Sequence, residues 1–180
     1  LANVSSDDVI AAADSDAAAL RERRDRGEMM QVMSVGAARI VRDLAVSGRI
    51  HGLLALGGSG GSSVAAAAMQ ALPVGFPKLL VSTMASGDVK PYVGEVDATL
   101  MYSVVDVAGI NSISSQVFAN AVAAIAGMAR AYEDRLAAAP AGQGLEGDEP
   151  GVDRGEVVQA GGGQELPVPP EAGGGLGGEG

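Results

Sequence analysis

Cysteine is absent from this 180-residue chain. No disulfide or thiolate metal site can form, and the redox compartment is left open. Histidine is almost absent too: His51 stands alone, which makes a zinc site a poor reading. There is no tryptophan, and three tyrosines and two phenylalanines are too few to announce an aromatic-anchored protein interface. Positive charge is also scarce. Twelve Lys and Arg face 22 Asp and Glu, a net charge of −10, so no basic face is left for a phosphodiester backbone and nucleic acid is not expected as a partner. The chain does not open on a basic segment followed by an apolar core, so nothing reads as a secretory signal. The longest uncharged stretch, 107–129, is interrupted by Asn111, Ser112, Ser114, Ser115, Gln116 and Asn120. It is expected to be a core-packed helix and not a membrane span, and the protein is read as soluble and cytoplasmic.

What the chain has in abundance is glycine, and its placement is informative. The apolar run Leu53-Leu54-Ala55-Leu56 is too short for a helix and reads as a buried strand. Gly57, Gly58, Ser59, Gly60, Gly61, Ser62 and Ser63 follow, and then an alanine-rich segment of high helix propensity. A strand, a glycine loop and a helix start together make an anion site. Glycine lets backbone N–H groups come close to a ligand, and the first helical turn leaves donors without partners. Ser62 or Ser63 is expected at the N-cap, and Gly58 and Gly60 are expected to bring their N–H groups against a phosphate. A ligand-free tight turn and a flexible linker are the alternatives. A Walker loop is excluded because no lysine lies near Gly61. A dinucleotide fingerprint starting at Gly58 would need Gly or Ala where Ser63 stands.

The rest of the chain follows an alternating pattern. A capped helix that opens with Ser5-Ser6-Asp7-Asp8 breaks near Asp14-Ser15-Asp16 and resumes at Ala17, and the run Arg21-Glu22-Arg23-Arg24-Asp25-Arg26 reads as a solvated face. Residues 28–46 form an amphipathic helix, with Met30, Met33, Ala37, Ile40, Val41 and Leu44 on one side. Further strands are expected at 78–83 and 98–102, with a long helix from Ser114 to about Arg135. Such alternation gives a Rossmann-like α/β fold, an open parallel sheet of βαβ units, with loops after the strands sharing one edge. Ser82, Thr83 and Ser86 would donate to phosphate oxygens there, beside Gly87. Asp88 would hold Mg²⁺ or a ribose hydroxyl, and an ordinary polar loop with an Asx turn is the other reading. Asp106 and Asn111 would reach the same edge from the third strand. Beyond Pro140 the periodicity ends. The last 45 residues hold 14 of the 27 glycines and 5 of the 8 prolines, with eight acids against one arginine, a composition expected to be disordered.

Three motifs, LALGGSGGSS, PKLLVSTMASGDVKPYVGE and MYSVVDVAGINSIS, closely resemble the Tm-one-like ATP-binding domain family. The resemblance implies two Rossmann-type subdomains with ATP and Mg²⁺ between them. By it, Gly57, Gly58, Ser59, Gly60, Gly61 and Ser62 would cradle phosphates. Thr83, Ser86, Gly87 and Asp88 would line a second wall, and Asp106 and Asn111 a third. The chain is then expected to be an incomplete nucleotide-binding unit at 1–135 with an acidic tail at 136–180, partnered by a second subdomain or another copy of itself. The alternative is an enzyme acting on a phosphorylated or carboxylated small molecule, with Asp88 or Asp106 as base or metal ligand.

Overall fold

The computed structural model describes residues 3–138. The expected disordered tail therefore lies outside the described residues, apart from its first three positions, which continue the last helix. The elements are α1 (Ser6–Ala12), α2 (Ala17–Arg23), α3 (Arg26–Val46), β1 (Leu53–Gly57), α4 (Ser59–Gln70), β2 (Lys78–Ser82), α5 (Lys90–Val93), β3 (Thr99–Tyr102) and α6 (Ser112–Ala138).

Local chemistry sets the helix starts. Ser5 and Asp8 form a reciprocal capping box on α1. Asp16 accepts from Ala19 N on α2, and Asp25 accepts from Glu28 N on α3. Between α1 and α2, Asp14 takes φ 57°, which ends the first helix. The two expected halves of that segment are thus separate helices. Gly36 has a packing reason to be glycine, because a Cβ there would sit 1.8 Å from the Val9 carbonyl oxygen, so α1 crosses α3 with backbone against backbone.

The three strands are parallel in the order β1-β2-β3, with Leu54 opposite Leu79 and Leu80 opposite Leu100. The α/β class and the open parallel sheet agree with the sequence. The burial expected of the strand at 53–56 is only partial: β2 is the middle strand and every one of its residues is buried, whereas β1 lies at an end and leaves Leu56 45% exposed. The two apolar runs look alike in sequence because neither run's composition records which neighbours the topology will give it.

Helix α4 covers one face of the sheet through Ala65 and Met69 against Leu80, and α6 covers the other through Ala121, Val117, Phe118 and Ile125 against Leu79 and Val81. Helix α3 lies outside α4. Met30 faces Gly60 at one end and Ala45 clusters with Leu72 at the other, so the two helices run in the same direction. Helix α6 is long and apolar enough to cross a membrane by length and composition, with 11% of its most apolar window buried. One stripe of it packs on the sheet. Ala124, three residues beyond Ala121, is exposed.

Candidate functional site

The three strands end on one edge, and so do three helix N-termini. Helix α3 begins beside Gly60, α4 begins directly after β1, and α6 begins after the loop that leaves β3. Each N-terminus carries a partial positive charge and unpaired N–H groups. Two of the three are closed by side chains. Asp25 caps α3. The Asn111 Oδ1 accepts from Ile113 N and Ser114 N, both at 2.9 Å, while Ser114 Oγ accepts from Asn111 N at 2.8 Å. Asn111 is therefore the N-cap of α6, and its carbonyl oxygen is engaged there.

Helix α4 differs. Its N-cap is Gly58, which makes no side-chain hydrogen bond. The expected cap at Ser62 or Ser63 is corrected: the helix starts at Ser59, because glycine at 57 lets β1 fold straight into the first turn. A Cβ on Gly57 would lie 2.6 Å from Ser62 N and 2.7 Å from the Gly61 carbonyl carbon. The glycines read as a loop are thus mostly the first turn of α4. Its first helical hydrogen bond runs from Ser62 N to Gly58 O at 2.8 Å, which leaves the N–H groups of Ser59, Gly60 and Gly61 without helical acceptors.

Ser62 itself points away from the open edge. It is fully buried, and its Oγ donates to Gly57 O at 3.2 Å and lies 2.6 Å from Ser82 Oγ. Ser82 is buried as well and accepts from Met84 N at 3.0 Å. Both hydroxyls are spent inside the protein. Ser63 donates back to Ser59 O, one turn earlier.

Thr83 closes the gap between the first two walls. Its N–H donates to Gly57 O at 3.3 Å, and its Oγ1 lies 3.8 Å from where a Gly58 Cβ would be. Gly60 faces elsewhere. The space a Gly60 methyl would fill adjoins Met30 Cε at 3.4 Å and Arg26 Nη2 at 3.7 Å, so its bareness lets α3 approach. Arg26, four residues before Met30 on α3, is exposed like the arginines around it. Among the described residues it has no ion-pair partner, and it stands beside the α4 N-terminus.

The remaining candidates spread out. Ser86, Gly87 and Asp88 are exposed, and Asp88 Oδ1 accepts from Lys90 N at 3.0 Å, the Asx-type turn held as the other reading. The segment that begins at Thr83, by the glycine turn, meets Gln70 at the opposite end of α4, where the Gln70 amide donates to Pro91 O and Tyr92 O. Lys90, at the start of α5, is thereby carried away from the glycine edge. Asp106 is exposed and accepts weakly from Ala108 N at 3.4 Å. Among the described residues no three His, Asp or Glu side chains cluster to hold a metal.

Val104, just beyond β3, takes φ 66°, an outlier for a β-branched residue. Ser103 steadies it, because its buried hydroxyl donates to Val105 O at 2.6 Å.

Curated relatives share this segment. A UPF0261 protein of Clostridium tetani is 51% identical over 117 residues, covering 65% of this chain and 29% of the relative. A UPF0261 protein of Rhizobium meliloti is 40% identical over 141 residues, 78% of this chain and 35% of its own. The ToMV resistance protein Tm-1(GCR237) of Solanum lycopersicum is 49% identical over 79 residues, 44% of this chain and 10% of its own. The chain thus spans about a third or less of the length of these relatives. The model of the uncharacterised protein family UPF0261, N-terminal domain, matches residues 1–134, and the chain belongs to that family.

Proposed function

We propose that this domain binds a nucleotide, ATP carried with Mg²⁺, by seating its phosphates on the first turn of α4. The supporting observation is the start of that helix: three consecutive residues, two of them glycine, whose N–H groups have no acceptor among the described residues, and no side-chain cap. Phosphate oxygens supply the acceptors that a capping side chain gives elsewhere. The cluster of helix N-termini adds positive potential to the same edge. Arg26 and Thr83 flank the turn, the first offering a cation and the second a hydroxyl. In this reading Ser59, Gly60 and Gly61 are the backbone ligands, with Gly58 entering from the strand side. Gly57 and Ser62 shape the turn from within, and Asn111 fixes the start of α6.

The donor set suits Mg²⁺ only as an ion that arrives on the nucleotide. Mg²⁺ keeps several waters and takes one or two carboxylates together with phosphate oxygens. Asp88 offers one oxygen beyond the one engaged by Lys90 N. Ser86, Gly87 and Asp106 would bound the outer rim. A second subdomain or another copy of the chain would cover α6, whose Ile113 and Val122 are exposed. The domain is proposed to work as a soluble, cytoplasmic binding module. Isothermal titration of the folded protein with Mg-ATP tests the proposal: saturable heat is expected, and none at millimolar ligand would reject it.

A further inference from the structure

We infer that Ser62 and Ser82 are positioning residues that make the first two walls of this site a single unit, an inference that rests on the phosphate-binding reading above. Both side chains are fully buried, and their oxygens lie 2.6 Å apart although twenty residues separate them in the chain. A serine hydroxyl has one proton to give. Ser62 gives its proton to Gly57 O, so the short contact takes its proton from Ser82. Ser82 in turn accepts from Met84 N. The chain runs from the Met84 N–H through Ser82 and Ser62 to the Gly57 carbonyl, with each donor used once. Beside it, Thr83 N donates to the same carbonyl oxygen at 3.3 Å.

Both strands of this connection therefore end on the peptide unit that joins Gly57 to Gly58. The N–H on the other side of that unit belongs to Gly58, the N-cap of α4, and it has no acceptor among the described residues. An anion accepting from the Gly58 N–H would polarise the peptide and make Gly57 O a stronger acceptor for Ser62 and Thr83. Occupancy of the glycine turn then tightens the start of the segment after β2, where Thr83 Oγ1 faces Gly58. Breaking the hydroxyl chain uncouples the two walls and loosens the hold on phosphate.

The test is titration of Mg-ATP into the parent, Ser62→Ala, Ser82→Ala and the double variant, each verified as folded by circular dichroism. Either single variant is expected to bind at least about tenfold more weakly, and the double variant no more weakly than the worse single, because a chain is broken only once. A purely structural role would lower the urea midpoint and leave the affinity of the folded protein unchanged. That outcome, or losses that multiply in the double variant, overturns the positioning role and leaves the phosphate reading standing. No heat from the parent overturns the phosphate reading, and the inference falls with it. If a variant fails to fold, amide exchange on the parent decides. Mg-ATP should slow exchange at Met84 together with Ser59, Gly60 and Gly61, and slowing at the glycine turn alone would sink the coupling.

Discussion

The two ends of β2 solve opposite problems. At its start, Lys78 is fully buried, and its ammonium donates to Pro73 O at 2.8 Å, Phe76 O at 2.9 Å and Asp97 Oδ1 at 2.6 Å. An ammonium has three protons, so all are placed. Asp97 also accepts from Gly75 N at 2.9 Å, which ties the turn after α4 to the loop before β3. At the other end, Ser82 is equally buried, yet it leads to an edge where backbone donors of α4 are left open. The polar groups at the first end are saturated, as those of a structural clip should be. Under the proposed function, the open donors at the second are the ones a phosphate would engage.

Gly57→Ala should have the largest effect, because its methyl would meet the Gly61–Ser62 peptide unit, backbone that cannot swing aside as a flexible side chain could. A loss of about 3 kcal/mol is expected by urea denaturation, and a parent-like midpoint would mean that the turn is wider than described. Lys78→Met keeps the apolar stem of the side chain but removes the ammonium and strands two carbonyls and a carboxylate, so about 2 kcal/mol should go. Nucleotide affinity should not change in the folded fraction; if it falls as stability falls, the two ends are not independent.

Gly58→Ala should cost about tenfold in Mg-ATP affinity, or about 1.4 kcal/mol, because its methyl points towards Thr83 Oγ1. Gly60→Ala points towards α3 and should leave affinity within about twofold. Equal losses at both positions would show that the ligand does not distinguish the two directions.

Acid should weaken the closed end. Burial pushes the Asp97 carboxyl up, but the hydrogen bonds from Lys78 and from Gly75 N–H, with the ammonium charge, outweigh it and hold the pKa below its ordinary value. A carboxyl depressed in the folded state stabilises above its unfolded pKa, near pH 4. That contribution is lost as pH falls through the folded value. Asp97→Asn should flatten the loss in an acid titration of stability, and an unchanged profile would remove Asp97 as its source.

Much of the fold was legible because its signals are local. The strand runs at 53–56 and 78–83, the glycine stretch and the spacing of Met30, Met33 and Ala37 depend on near neighbours. What sequence could not give was direction. Ser62 reads as a cap or a ligand, and only the parallel pairing of β1 with β2 turns it towards Ser82. Gly60 and Gly58 read alike until α3 is placed beside one of them. Asn111 reads as a third wall, yet the helix starts two residues earlier than Ser114, and its amide is the cap. Arg26 reads as solvated and is exposed, yet the charges around it gave no sign that it would stand beside the α4 N-terminus. The short α5 had no signal strong enough to separate it from a loop.

Backbone amide shifts during a Mg-ATP titration, followed by NMR on isotopically labelled protein, test the central claim most directly. The N–H signals of Gly58, Ser59, Gly60 and Gly61 should move first and saturate together with that of Thr83, while those of Gly75 and Lys78 at the closed end stay still. Shifts absent from the glycine turn at millimolar ligand, or concentrated at the closed end, would contradict the account.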